Sequence, residues 1–418
     1  MNHTPRFRTV LSCTLLVVSL GAGATACGDS GDNPLSAEPY DAAGQIAFSA
    51  PSGSKKANPD KPLEVTSKGG GGRITDVTAT DTSGRYLAGE LTADGSRWRS
   101  TAPLAAGTRY TVHVATEDDG GAPGSRTLSF DTQAPKGKKL LTVKFGPEAG
   151  KYGVGQPVTA TLSAPVKAKA DRAVVERSLK VRSSPGAQGA WHWVDSKTLH
   201  FRPKEFWPAN GTVTATSTLQ GVRVGRLYGG PVKPLKLSTG DRVEAVADAG
   251  SHYMTVYRNG KEIKSIPVTT GKPGFSTRNG IKVILGKEQF VRMRGTSVGI
   301  AAGSGESYDL PVYWATRVTW SGEYVHAAPW SVGSQGSANV SHGCVGMSTD
   351  NAKWFFGVVR QGDIVRVVNS EGHTMENFGN GFGDWNLSWD KWRGGSVLTA
   401  GVPEGTGPAA AGRLRPEV

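Results

Sequence analysis

The sequence predicts a mainly β protein of several domains, and three observations carry that prediction. Glycine and proline are abundant, 57 and 24 of 418 residues, with serine, threonine and valine spread throughout. Such a composition builds short strands joined by turns, not long helices. Apolar residues alternate with polar ones, as at Tyr110, Val112 and Val114, which is the period of a strand with one face in a core. A pattern also recurs about a hundred residues apart: Trp98-Arg99 is followed by Gly107-Thr108, and Phe201-Arg202 by Gly211-Thr212. The length itself suggests three domains.

The elements follow in order. Arg6 and Arg8 precede an apolar run from Val10 to Leu20, too short to span a bilayer, and Ala24-Thr25-Ala26 precede Cys27. This resembles a bacterial lipoprotein signal over 1–27, with Cys27 as the lipidated residue and the chain held on the outer face of the cell membrane, facing the wall. Residues 28–44 are small and polar and read as a flexible tether. The repeat then implies two immunoglobulin-like β-sandwiches, at 45–134 and 138–239, because a copy is the size of that fold. Leu63 and Val65 share one face in the first; Gly69 to Gly72 form a loop, and 134–139 a linker. In the second, Asp171 caps a short helix to Leu179, and His192, between Trp191 and Trp193, faces solvent. Carbohydrate binding by Trp191, Trp193 or Trp207 is the alternative to a spacer role.

A third domain spans 241–368. Asn259-Gly260, between Met254 to Tyr257 and Ile263 to Ile266, signals a hairpin. Strands continue at Ile281 to Leu285 and Pro311 to Trp320, and the Gly-rich stretch Val291 to Ser307, holding Met293 and followed by Tyr308, reads as a mobile flap. Asp350 to Arg360 reads as a helix and Ile364 to Val368 as a closing strand. In 369–400, Trp385, Trp389 and Trp392 fall on one face of a helix capped by Asp384. Packing of that stripe on the third domain is preferred over a wall-sugar platform. Residues 401–418 read as a disordered tail.

Cysteine usage singles out one residue. Cys13 and Cys27 belong to the signal, so Cys344 is the one thiol left in the mature chain, where exported proteins usually keep disulfides. It stands in Ser341-His342-Gly343-Cys344, with His326 sixteen residues before His342. An imidazole can take a thiol's proton, and a glycine before the sulfur lets a backbone N–H approach an oxyanion.

These residues resemble the L,D-transpeptidases, whose signature is a histidine, a loop of about fifteen residues, then Ser/Thr-His-Gly-Cys. The resemblance extends to the signal, two immunoglobulin-like domains and a Trp-rich C-terminal segment, as in actinobacterial members. It implies that Cys344 is the nucleophile, that His326 is its base and that His342 orients that base. It gives the backbone N–H groups of Gly343 and Cys344 to the oxyanion, with Ser341 in the motif. Tyr308 would face the same pocket, and Met293 and Trp330 would line the donor site. The implied reaction joins peptidoglycan stem peptides, donor and acceptor, through a thioester with loss of D-alanine, and carbapenem β-lactams would be covalent inhibitors. No cofactor is implied. The chain departs from the family at Gly346, where asparagine is frequent, and at Ala327, where some relatives have serine.

Three rivals remain at this point. His326, His342 and Cys344 could ligate zinc, though Gly343 between the last two disfavours it, so no metal is expected. The acyl-enzyme could pass to water or to a protein amine, or the chain could be a non-catalytic wall-binding lipoprotein. The net charge of +13 suits anionic wall polymers; with no dense basic tract and no binding motif, nucleic acid is not expected as a partner.

Overall fold

Two sandwiches with one strand order follow each other along the chain. In the first, Tyr40–Asp41, Pro123–Asp131, Arg109–Glu117 and Arg73–Asp81 form one sheet; Ile46–Phe48, Glu64–Ser67, Arg97–Ser100 and Gly89–Leu91 form the other. In the second, Gly150–Tyr152, Leu235–Thr239, Thr212–Ser217 and Leu179–Ser184 face Val143–Gly146, Val158–Leu162, Thr198–Pro203 and Gly189–Trp193. Each copy starts one sheet with a strand paired in parallel, Tyr40 with Gly124 and Gly150 with Leu237. The repeat read in the sequence has a physical basis here. Trp98 and Phe201 are buried on equivalent strands, and the Gly-Thr pair that follows leads into the strand of the opposite sheet. These details come from a computed structural model that describes residues 38–51, 56–69, 72–135 and 140–402. The expected signal with Cys27, Gly70 and Gly71, residues 136–139 of the expected linker and the tail from 403 lie outside the described residues.

Several expectations for the sandwiches are corrected. The tether does not reach residue 44: Tyr40–Asp41 is already a strand, and Asp41 caps a short 3-10 turn. The helix runs Lys169–Ser178 with no side-chain cap, and Asp171 instead accepts from the Gly225 N–H. Trp191, Trp193 and Trp207 are all core residues whose ring N–H groups bond inside the protein, to Leu179, Glu176 and Gln156, so none is presented to a sugar. His192 does not face solvent. Its Nδ1 lies 2.8 Å from the Trp392 carbonyl, so it donates there, and its ring stacks on Trp392.

The third region has two sheets. Lys261–Pro267, Tyr253–Arg258, Val243–Asp248, Ile364–Val368 and Gly280–Val283 form one; Gly286–Arg294, Asp309–Arg317, Tyr324–Ala327 and Val345–Met347 form the other. Asn259 and Gly260 have φ of 50° and 80°, the left-handed pair a type I′ hairpin requires. Met254, Val256, Ile266, Val325, Val345, Met347 and Phe355 share one core between the sheets and the helix Thr349–Val358, which Ser348 caps. The expected flap is more regular than its composition suggests. Val291 to Arg294 belong to a long strand paired with Asp309–Arg317, so only the stretch near 295–308 is a loop.

The Trp-rich segment differs most from expectation. It is not one helix: a 3-10 turn at Asp384–Asn386 is followed by a helix at Trp389–Gly394 capped by Ser388, not by Asp384. Nor does its stripe pack on the third region alone. Trp385 and Trp392 donate to the Gly155 and Ala190 carbonyls of the second sandwich, and the Arg202 guanidinium lies 4.9, 5.6 and 4.6 Å from the rings of Trp385, Trp389 and Trp392. Asn386 meanwhile brackets Ile281 of the five-stranded sheet in the third region. The segment is a strap across both.

Candidate active site

Strand register brings the two key residues together. Tyr324–Ala327 and Val345–Met347 pair in parallel, with His326 opposite Gly346, two residues beyond Cys344. The seventeen residues between them, 327–343, turn back through a 3-10 stretch at Pro329–Ser334, tied by Gln335 to the Ala328 carbonyl. The loop closure that the sequence only permits is therefore made by a ladder. Both side chains line one cavity of about 880 Å³ beneath the flap.

His326 is 5% exposed, and its Nδ1 donates to the Ala327 carbonyl at 2.8 Å. A carbonyl only accepts, so Nδ1 carries the proton and Nε2 is left with its lone pair. Burial pushes the imidazole pKa below its ordinary value, against the opposing pull of that hydrogen bond, which keeps the ring neutral and basic at pH 7. Burial pushes the Cys344 thiol up to about 12; the Tyr324 N–H and Lys282 pull it down and Glu323 pushes it further up. The thiol donates to the Gly322 carbonyl at 3.6 Å, with no hydrogen bond to His326 among the described residues. The resting pair is thus a neutral thiol and a neutral imidazole.

The remaining expected residues lie around the same cavity, but two behave differently from expectation. His342 does not orient His326. Its Nε2 donates to Glu306 at 2.6 Å and its ring sits between Phe275 and Tyr308, while the Ala327 carbonyl orients the His326 ring. Gly343 has φ of 115°, a conformation that demands glycine, but its N–H is bonded to Ser341 Oγ at 3.2 Å, so it is not free for an oxyanion in this state. Ser341 in turn donates to the Cys344 carbonyl at 2.7 Å, bracing the turn. Met293, like Val291, Leu310 and Cys344, packs against the buried cluster of Val312, Ala315 and Tyr324, and Trp330, 53% exposed, stands at the mouth 6.0 Å from the His326 ring. Tyr308 is half-buried in the wall, and burial raises its hydroxyl pKa.

Sequence reading missed two groups. Glu306, on the flap loop, also accepts from Lys272 Nζ at 2.5 Å. Lys282 is fully buried, paired at 2.6 Å with Glu323, which also holds Arg278. Its signal was a lysine inside the apolar strand Ile281–Val283. At Gly346 the departure from the family has a steric counterpart: a Cβ there would stand 3.0 Å from the Ala328 Cβ and 3.1 Å from Thr269 Cγ2, so a larger residue needs those walls to move. Among the described residues no three His, Cys, Asp or Glu are grouped to hold a metal ion.

Two immunoglobulin-like sandwiches followed by a flap-covered cysteine–histidine cavity define the class, a transpeptidase-type enzyme with an immunoglobulin-like N-terminal half. Comparison with known proteins agrees. A bacterial Ig domain family matches residues 54–223, across both sandwiches, and the L,D-transpeptidase catalytic domain family matches 242–367. L,D-transpeptidase 2 of Mycobacterium tuberculosis (strain CDC 1551 / Oshkosh) is 34% identical over 402 residues, 94% of this chain and 96% of that one. L,D-transpeptidase 5 of Mycobacterium tuberculosis (strain ATCC 25618 / H37Rv) is 29% identical over 98% of this chain and 90% of its own. The structure of LD transpeptidase LdtMt1 in complex with imipenem matches 55% of this chain and 100% of its own at 37% identity, with a TM-score of 0.48. The chain belongs to the L,D-transpeptidase family.

Proposed function

We propose that the chain cross-links peptidoglycan by a two-step acyl transfer. Cys344 Sγ attacks the carbonyl of the third stem residue of a donor tetrapeptide while His326 Nε2 takes the thiol proton. The bond to the terminal D-alanine breaks, and His326 returns the proton to the departing amine. The side-chain amine of a diamino acid on a second strand then attacks the thioester; the new amide forms, its proton passes to His326, and Cys344 recovers its thiol. Neither half needs a redox partner, since carbonyl carbon stays at one oxidation level. What supports this reading above all is the parallel ladder that sets His326 beside Cys344 in one flap-covered cavity.

The same proposal places the enzyme outside the cell, lipid-anchored through Cys27, its +13 charge facing anionic wall polymer. Carbapenems, with a strained lactam carbonyl, would acylate Cys344 and stay. The test is intact mass. A soluble chain beginning after Cys27, given a carbapenem, gains one adduct on the Cys344 peptide, absent in Cys344→Ala and slowed about a hundredfold or more in His326→Ala. An adduct that persists in Cys344→Ala overturns the nucleophile. Donor and amine acceptor supplied together yield the cross-linked dimer; tripeptide alone would mean the thioester goes to water.

A further inference from the structure

Among the described residues, every hydrogen bond and ion pair from the flap loop 295–308 to residues outside its own hairpin runs through one carboxylate, Glu306. Its Oε2 accepts from Lys272 Nζ at 2.5 Å and from His342 Nε2 at 2.6 Å. The two donors are held side by side by the backbone: Gly271 bridges to Ser341, and the Lys272 N–H bonds the Ser341 carbonyl at 2.9 Å. Phe275 supports both, 5.5 Å beneath the ammonium and edge-on to the His342 ring at 4.7 Å. An ammonium and an imidazole N–H converging on one oxygen make a carboxylate-binding notch. The flap fills it with a carboxylate of its own.

We propose that the notch between Lys272 and His342 binds the terminal carboxylate of the donor tetrapeptide, and that Glu306 is an internal stand-in which the donor displaces. This rests on the reaction proposed above. The terminal carboxylate lies one residue beyond the carbonyl that Cys344 attacks, a span of about 3.8 Å between Cα positions. His342 is two residues from Cys344 on the cavity wall, so a donor seated for attack carries its carboxylate into reach of that side chain. Exchange of one solvent-accessible carboxylate for another leaves the charge balance of the notch unchanged. It also frees the flap loop, so donor entry and flap release become one event. A donor ending in a carboxamide offers no anion and turns an N–H toward an ammonium, and is rejected.

Lys272→Met and Glu306→Gln, each in the full chain, test this with a tetrapeptide donor as free acid and as C-terminal amide. The wild type prefers the acid. Lys272→Met raises KM for the acid about tenfold and leaves the amide unchanged, so the preference collapses; Glu306→Gln lowers KM for the acid by about threefold. Equal changes for acid and amide in Lys272→Met overturn the notch. Calorimetry on Cys344→Ala keeps this separate from turnover. Acid bound more tightly than amide, with the difference lost when Lys272→Met is added, supports the notch even if the wild type transfers no acyl group, which would sink the reaction instead. Equal binding of acid and amide sinks the notch alone.

Discussion

Two histidine–carboxylate pairs, nearly identical in length, do opposite things in this molecule. His200 Nδ1 meets Asp384 Oδ1 at 2.7 Å, and His342 Nε2 meets Glu306 Oε2 at 2.6 Å. The first joins the C-terminal strap to the second sandwich; both side chains are buried, with Phe378 and Phe382 against the His200 ring. Asp384 also raises the pKa of Arg202, whose guanidinium burial alone pulls down, the net result being about 10. The second joins a flap loop to the cavity wall, with the Glu306 side chain partly open to water. A buried charge that loses its partner is stranded, whereas an exposed one is taken up by solvent. Geometry being equal, surroundings make one pair a fastening and the other a latch.

The largest effect that sharpens this contrast belongs to the strap. Trp392 is fully buried, stacked with His192 and over Arg202, so Trp392→Ala costs about 3–5 kcal/mol in urea unfolding. Trp389 is only partly buried, and Trp389→Ala costs less. Wall binding lost without a change in stability would show instead that the stripe is a ligand platform. Asp384→Ala follows at about 3 kcal/mol, because the His200 ring loses its buried 2.7 Å acceptor and the Arg202 guanidinium loses the carboxylate that offsets its burial. A drop under about 0.5 kcal/mol would mean the strap pair is as dispensable as a surface one.

How far the sequence revealed these two regions differs for a physical reason. Cys344, His326 and the glycine between His342 and Cys344 were legible as candidates because they stand in a short motif that resembles a family signature, whereas the closure that brings them to one cavity is made by the strand ladder. The hairpin at Asn259-Gly260 was legible because φ > 0 is a local demand. The partner of the Trp segment was not. Trp385 and Trp392 bond residues 230 and 202 positions away, and a helical spacing of tryptophans reveals an apolar face without naming the surface that receives it. Nor was Glu306, a single acid in a Gly/Ser loop, which acquires a role only when the flap folds it onto Lys272 and His342. Lys282 could have been suspected from its strand, but its pairing with Glu323 is a tertiary fact.

A smaller effect concerns protons in the cavity. His326 is depressed below its ordinary value and Cys344 raised to about 12, so the reactive state is neutral thiol with neutral imidazole. The base form of a depressed histidine is present above its folded pKa and is lost as pH falls through it. Carbapenem acylation is therefore expected to be level from about pH 7 to 9 and to fall about tenfold per unit only on the acid side of 6.5. A rate that climbs between pH 7 and 9 would reveal a titrating thiol and contradict the neutral pair.

The smallest effect is on the latch and should scarcely register as stability. The Glu306 side chain is 42% open to solvent, so Glu306→Gln leaves the melting temperature unchanged while Asp384→Ala lowers it by several degrees. The difference should appear in local motion. Loop 295–308 has no other hydrogen bond or ion pair beyond its hairpin among the described residues, so loss of the carboxylate lets it open more often. Amide hydrogen exchange reads that opening directly. In Glu306→Gln the amides of the loop exchange about threefold faster, while those of Tyr324–Ala327 and Val345–Met347, held in the ladder behind it, keep their protection. If the loop amides do not change, the flap is held by its own hairpin and by Tyr308 against His342, and the two histidine–carboxylate pairs differ in exposure without differing in function.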